Sequence, residues 1–196
     1  MPQPFAPKSD TNFVLDYPTR EKFSPLVGEV AIRWSHLEQA LSGGFVSLFA
    51  GREELAHTIY NDTIDRERKN QIFLLVTKNL LSDEQQNEWK ALFAQIRKAA
   101  KKRNKIIHGT WASIEGDKDN LYLLDFADLN SLIAAELSGD DLKRDQLVKD
   151  SKFERWSEND FCAAISRIKD LYNQVADLNN KLRSLSHEEL REPSPQ

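Results

Sequence analysis

Arg103 and His108 lie within the run Arg103-Asn104-Lys105-Ile106-Ile107-His108-Gly109-Thr110-Trp111, and between them they carry the groups that phosphodiester chemistry needs without a metal ion. An imidazole titrates near neutral pH and can pass a proton, while a guanidinium stays charged and grips phosphate oxygens with a planar fork of donors. The run closes a strongly basic helical pattern. Arg97, Lys98, Lys101, Lys102, Arg103 and Lys105 crowd into about two and a half helical turns. A positive field can therefore exist locally on a chain whose net charge is −4. Such a run is also the ordinary solvated face of a helix.

The elements that must position these groups read as helices. From Pro25, Val27, Val30, Ala31, Trp34, Leu37, Leu41, Phe45 and Leu48 form one apolar stripe, with Gly43 and Gly44 marking a kink or an end. A short helical piece spans Glu53 to Tyr60. A second long pattern runs from Thr63 to Leu80 through Ile64, Gln71, Leu74, Leu75 and Lys78. Ser82 with Gln85 three residues on favours a helix start, so the third helix is expected from Asp83 to His108. Its inward stripe is Trp89, Leu92, Phe93, Ile96, Ala99 or Ala100, Arg103, Ile106 and Ile107, and Gly109 is expected to end it in a left-handed cap. Beyond it the period changes. Thr110 to Ile114 and Leu121 to Phe126 read as a β-hairpin, and a third strand is expected near Lys152 to Trp156 after a polar connection from Ser138 to Asp150. Ser157 caps the last helix, whose inner face runs from Phe161 through Ile165, Ile168, Leu171, Val175, Leu178 and Leu182 to Leu185. The fold class is thus mainly α: a bundle of four main helices with a small β-hairpin or short sheet inserted between the third and last. Residues 1–24 read as an irregular arm, 25–186 as the helical domain and 187–196 as a polar tail.

Arg103 occupies an apolar slot, and burying a guanidinium costs several kcal/mol unless it is paired. Glu38, on the inward stripe of the first helix, is the expected partner. In a regular helix Asn104 and His108 share a face, whereas Arg103 and His108 lie about 140° apart. Convergence then needs either the opening of the last turn at Gly109 or a second copy of the helix across a twofold axis. On residue types, His108 acts as general base on a ribose 2′-hydroxyl or as general acid on the leaving 5′-oxygen. Arg103 stabilises the phosphorane, and Asn104 orients the imidazole or bonds phosphate. Arg97, Lys101, Lys102 and Lys105 hold flanking phosphates, and Trp111 stacks an unpaired base. Each residue also has a plainer role: a helix-dipole partner for His108, an ion pair for Arg103, a core position under the hairpin for Trp111. Asp62, Asp65, Arg66 and Arg68 read as a solvated helix face, and His36 and His57 as surface residues.

Arginine, a polar residue, three further residues and histidine, at a helix end before glycine, resembles the signature of the HEPN superfamily. The resemblance extends to the helical order, the inward acid of the first helix and the basic lead-in. It implies a small helical ribonuclease of toxin–antitoxin or phage-defence type, independent of metal and cofactor, with its active site at a homodimer interface and an antitoxin or sensor protein as partner. The hairpin and the Ser138 to Asp150 connection are elaborations that many such proteins lack. A catalytically inert module binding nucleotide, RNA or protein through the same basic groove is the alternative. A helical interaction protein assembling through the leucine face of its last helix is a third reading.

Composition excludes other classes. With 40% hydrophobic and 30% charged residues the chain reads as soluble and cytoplasmic, without membrane partner or secretory signal. The single cysteine, Cys162, has no second thiol for a disulfide or a zinc pattern and is expected as a small core residue of a helix.

Overall fold

The computed structural model describes residues 2–7, 13–14, 21–49, 51–63, 65–114, 116–124, 126–151 and 153–189. Ile64 and the tail from 190 onward lie outside these, as does much of the arm. Among the described residues the fold is mainly helical with a small antiparallel sheet. Contacts divide the chain into two compact units, the first built from 1–31 and 102–165 and the second from 32–101 and 166–196.

The first unit holds the sheet. Its strands are β1 (Gln3–Phe5), β2 (Phe13–Val14), β3 (Thr110–Ile114), β4 (Asn120–Leu124) and β5 (Phe153–Ser157), in the order β1-β5-β4-β3-β2. The hairpin and third strand form where the residue pattern predicts, except that the second hairpin strand ends at Leu124 and Phe126 opens a helix. The arm departs from the pattern: Gln3 to Phe5 pairs with β5 and the Phe5 ring packs 4.6 Å from Tyr122, so apolar contact orders what proline content suggested was irregular. Four consecutive residues of β4 are buried because the sheet is covered on both faces. Ala112, Tyr122, Leu124 and Phe153 point one way, with Leu132 packed on them. Trp111 and Trp156 point the other way and meet Phe161, each ring pair 5.5 Å apart.

Leu132 belongs to α5 (Phe126–Ser138), which α6 (Asp141–Asp150) follows. Helix α6 replaces the expected polar connection, and α5 starts at Phe126, the expected end of the second hairpin strand. The local signals are Gly139 at φ +66° past the end of α5 and Asp140, whose side chain accepts from the Lys143 N–H at 3.0 Å and caps α6. Only Val148 of α6 is buried among its described side chains, so its apolar signal is faint.

Three long helices contribute to both units: α1 (Ser24–Ser47), α4 (Asp83–His108) and α7 (Glu158–Glu189). The second unit adds α2 (Glu53–Asp62), α3 (Arg66–Val76) and a 3-10 turn at Thr77–Asn79. Its core stacks Phe45 against Tyr60 and Phe73, and Phe73 against Trp89 and Phe93. The stripe expected on α3 is displaced: Phe73 and Thr77 are buried, and Leu75 is exposed. The Ser82–Gln85 box forms as predicted, the Ser82 N–H donating to Gln85 Oε1 at 2.9 Å and the Gln85 N–H to Ser82 Oγ at 3.2 Å. Cys162 is exposed on α7, because the buried positions around it are Phe161 and Ala164.

Gly44 does not end α1, which continues to Ser47. A Cβ there would lie 2.0 Å from Asn179 Oδ1, and the Asn179 amide donates to the Ala40 carbonyl at 2.8 Å. The glycine lets α7 approach α1. Gly44→Ala is expected to destabilise by about 1–3 kcal/mol through overpacking, measured by urea unfolding. In an Asn179→Ala background the loss should shrink; an unchanged loss would refute the contact as its cause.

Candidate nucleic-acid interface at the end of the basic helix

The last turns of α4 are tied to the sheet of their own unit. The Trp111 indole N–H donates to the Ile106 carbonyl at 3.1 Å, and Lys105 forms an ion pair with Glu154. The Lys102 ammonium lies 5.3 Å from the centre of the Trp156 ring. Burial pushes the Lys102 pKa down, opposed in part by the charge of Asp160. Two of the cations expected on RNA therefore hold the helix in place. Trp111 is a core residue, 8% exposed and packed against the rings of Trp156 and Phe161. This corrects the stacking role: the hairpin folds its first buried position under the helix end.

Arg103 is half-buried, as its place on the inward stripe requires, and its Nη1 donates to Asn104 Oδ1 at 3.1 Å. The motif's first two residues thus meet directly. His108 is exposed as the last residue of α4, where the Gly109 N–H still bonds back to the Lys105 carbonyl at 2.9 Å. Gly109 is not in the left-handed region. Its requirement is space: a Cβ would lie 2.3 Å from the Lys105 carbonyl oxygen and 2.2 Å from Leu123 Cδ1. In the first unit Asn104 and His108, four apart at the end of α4, share one face and are both exposed; in the second unit Arg97 and Lys101, also four apart on α4, are exposed. Arg97 also pairs with Glu67 at 3.2 Å across exposed surface, a contact worth about 0–1 kcal/mol and open to competition by a ligand.

Glu38 has partners within its own unit. It accepts from the Trp34 indole N–H at 2.9 Å and forms an ion pair with Arg66, whose guanidinium lies 4.6 Å from the centre of the Trp34 ring. Arg66 is therefore not part of a solvated face. Glu38 is exposed rather than inward, because the buried positions around it on α1 are Trp34, Leu37 and Leu41, and the first turn of α3 supplies its cation.

At the start of α7, Asp160 accepts from the Ser157 N–H at 3.0 Å and from its hydroxyl at 2.7 Å. Burial works against the charge of Asp160, but hydrogen bonds, those from Ser157 first among them, and nearby positive charge together hold the carboxyl below the usual range. A depressed pKa stabilises fully above the unfolded value, about 3.9, and that stability is lost as pH falls through the folded one. Asp160→Asn should accordingly be less stable than the parent at pH 7, with the gap closing on acidification through the carboxylate range. Urea midpoints measured across that range check it; a gap constant with pH would refute the assignment.

No group of three metal-binding side chains gathers among the described residues, and none of their helices is long and apolar enough to cross a membrane. Fold and site together define a mainly helical protein with a small sheet and a basic helix that ends in an exposed histidine. Comparison with known proteins found no matching family model, curated protein or solved structure.

Proposed function

We propose that the chain is a metal-independent endoribonuclease of HEPN type, acting through Arg103, Asn104 and His108 at the end of α4. The observation that carries this reading is the exposed His108 on one helix face with Asn104, which itself accepts from Arg103. His108 takes the proton of a ribose 2′-hydroxyl, and the oxygen so activated attacks the adjacent phosphorus. Arg103 stabilises the charge that gathers on the phosphate oxygens. The 5′-oxygen leaves with a proton from a second acid, the His108 of a second copy, so a cyclic phosphate and a free 5′-hydroxyl result. A homodimer pairing the two α4 helices supplies that second acid. Glu38 is left out of the set because Trp34 and Arg66 engage its carboxylate. On this reading the helices form a four-helix HEPN bundle in a cytoplasmic toxin or phage-defence effector, controlled by an antitoxin or sensor protein.

The test is incubation of the purified chain with single-stranded RNA in the presence of a chelator. Fragments ending in 2′,3′-cyclic phosphate support the reading, and intact RNA at high enzyme concentration refutes it.

The alternative, an inert helical module that binds RNA, nucleotide or protein on the same face, draws on a separate observation. Lys102 and Trp111 are engaged inside the fold and the exposed Lys105 is paired with Glu154, which leaves fewer groups to grip a substrate. Binding of RNA without cleavage by the wild type would favour it.

A further inference from the structure

The second unit contains a cavity of about 490 Å³ that the RNA-cleavage reading does not use. Helices α1, α2 and α3 line it, and its size falls in the range of about 300–1,000 Å³ typical of small-molecule sites. Most of its wall is polar. Arg66 and Lys69, three apart on α3, both face it, and Glu38 is the acid among its lining residues. Each cation rests on an aromatic ring: Arg66 lies 4.6 Å from the centre of Trp34, and Lys69 4.3 Å from the centre of Tyr60. An aromatic face holds a cation in position without cancelling its charge. Glu38 offsets one of the two, so the lining keeps one positive charge.

Neutral donors complete the wall. Asn61 and Asn70 contribute amides, and Tyr60 contributes a phenol whose pKa is pushed up to about 12, by burial first and then by the charge of Glu38, against the opposing Arg66. The phenol therefore stays protonated and able to donate throughout the neutral range. A single free anion such as phosphate is far smaller than this space, whereas an anion with a hydroxylated body matches both the cations and the amides.

We propose that this cavity binds a small phosphomonoester of a polyhydroxylated compound, with Arg66 and Lys69 on the phosphate and Asn61 and Asn70 on the hydroxyls. The proposal is independent of RNA cleavage, since it shares no residue with Arg103, Asn104 and His108. The rings beneath the cations set the geometry, so the site exists before the ligand arrives.

Isothermal titration of the full chain tests it, with glycerol 3-phosphate, ribose 5-phosphate and glucose 6-phosphate as probes and with glucose, gluconate and inorganic phosphate as comparisons. At least one phosphorylated probe should bind more tightly than any of the comparisons. Lys69→Met keeps an unbranched stem against Tyr60 and removes the charge, and it should weaken that binding about tenfold or more. Lys69→Arg should largely restore it. Binding of none of the three probes, gluconate binding as well as they do, or Lys69→Met binding like the wild type would each overturn the proposal. Displacement of the probe by a short single-stranded RNA would overturn it too, by placing the ligand on the RNA-binding surface instead.

Discussion

RNA cleavage by the His108→Ala protein is expected to fall by about 100- to 10,000-fold, the usual worth of a positioned acid or base. His108 is exposed, so the variant should unfold within about 0.5 kcal/mol of the parent. That separation matters: lost activity in a protein of unchanged stability points to chemistry, not to a damaged helix end. RNA binding, measured by fluorescence anisotropy, should survive in the variant because Arg103 and Asn104 remain beside the altered position. If cleavage by His108→Ala matches that of the wild type, no proton transfer runs through this imidazole and the enzymatic reading falls. Arg103→Lys provides a second check. It keeps the charge but loses the planar fork, so its activity should lie well below the parent's.

A second large effect concerns stability. Trp156→Ala should cost about 3–5 kcal/mol, as expected for removal of a fully buried aromatic side chain. Trp156 is wholly buried, its ring stands edge-on to Trp111 at 5.5 Å, and it packs against Phe161 at the same distance. It also carries the Lys102 ammonium on its face. Against a total stability of about 5–15 kcal/mol for a domain, the loss brings the variant near its unfolding threshold at ambient temperature. Urea unfolding followed by circular dichroism gives the number. A cost below about 1 kcal/mol would mean that this aromatic cluster does not organise the end of α4. Lys102→Met, which keeps the stem over the ring, should cost far less than the tryptophan.

These two expectations rest on different kinds of legibility. The position of His108 at a helix end could be read from the Ser82–Gln85 box at one terminus and the break of period after His108 at the other, because caps and periodicity are local properties of the chain. The two strands of the hairpin and the strand near Trp156 were legible for the same reason. Helices α5 and α6 were not, although Gly139 and Asp140 carried their punctuation, since few of their side chains are buried and the polar residues between outnumber them. Cys162 illustrates a related limit. Residue type favours burial, yet the neighbouring Phe161 and Ala164 take the inward positions.

By itself, then, the sequence determined the helical character of the chain, the limits of its longest helices and the basic run that ends in Arg103, Asn104 and His108. Only the tertiary structure decided which partners these cations meet. Lys102 is drawn onto Trp156, Lys105 onto Glu154 and Arg66 onto Glu38, and in each pair the partners are far apart in the chain. A lysine's chemistry depends on what the fold brings beside it, and no local pattern encodes a neighbour that arrives from another element. The same reason governs Trp111 and the cavity walled by α1, α2 and α3: burial and enclosure come into being when separate elements pack.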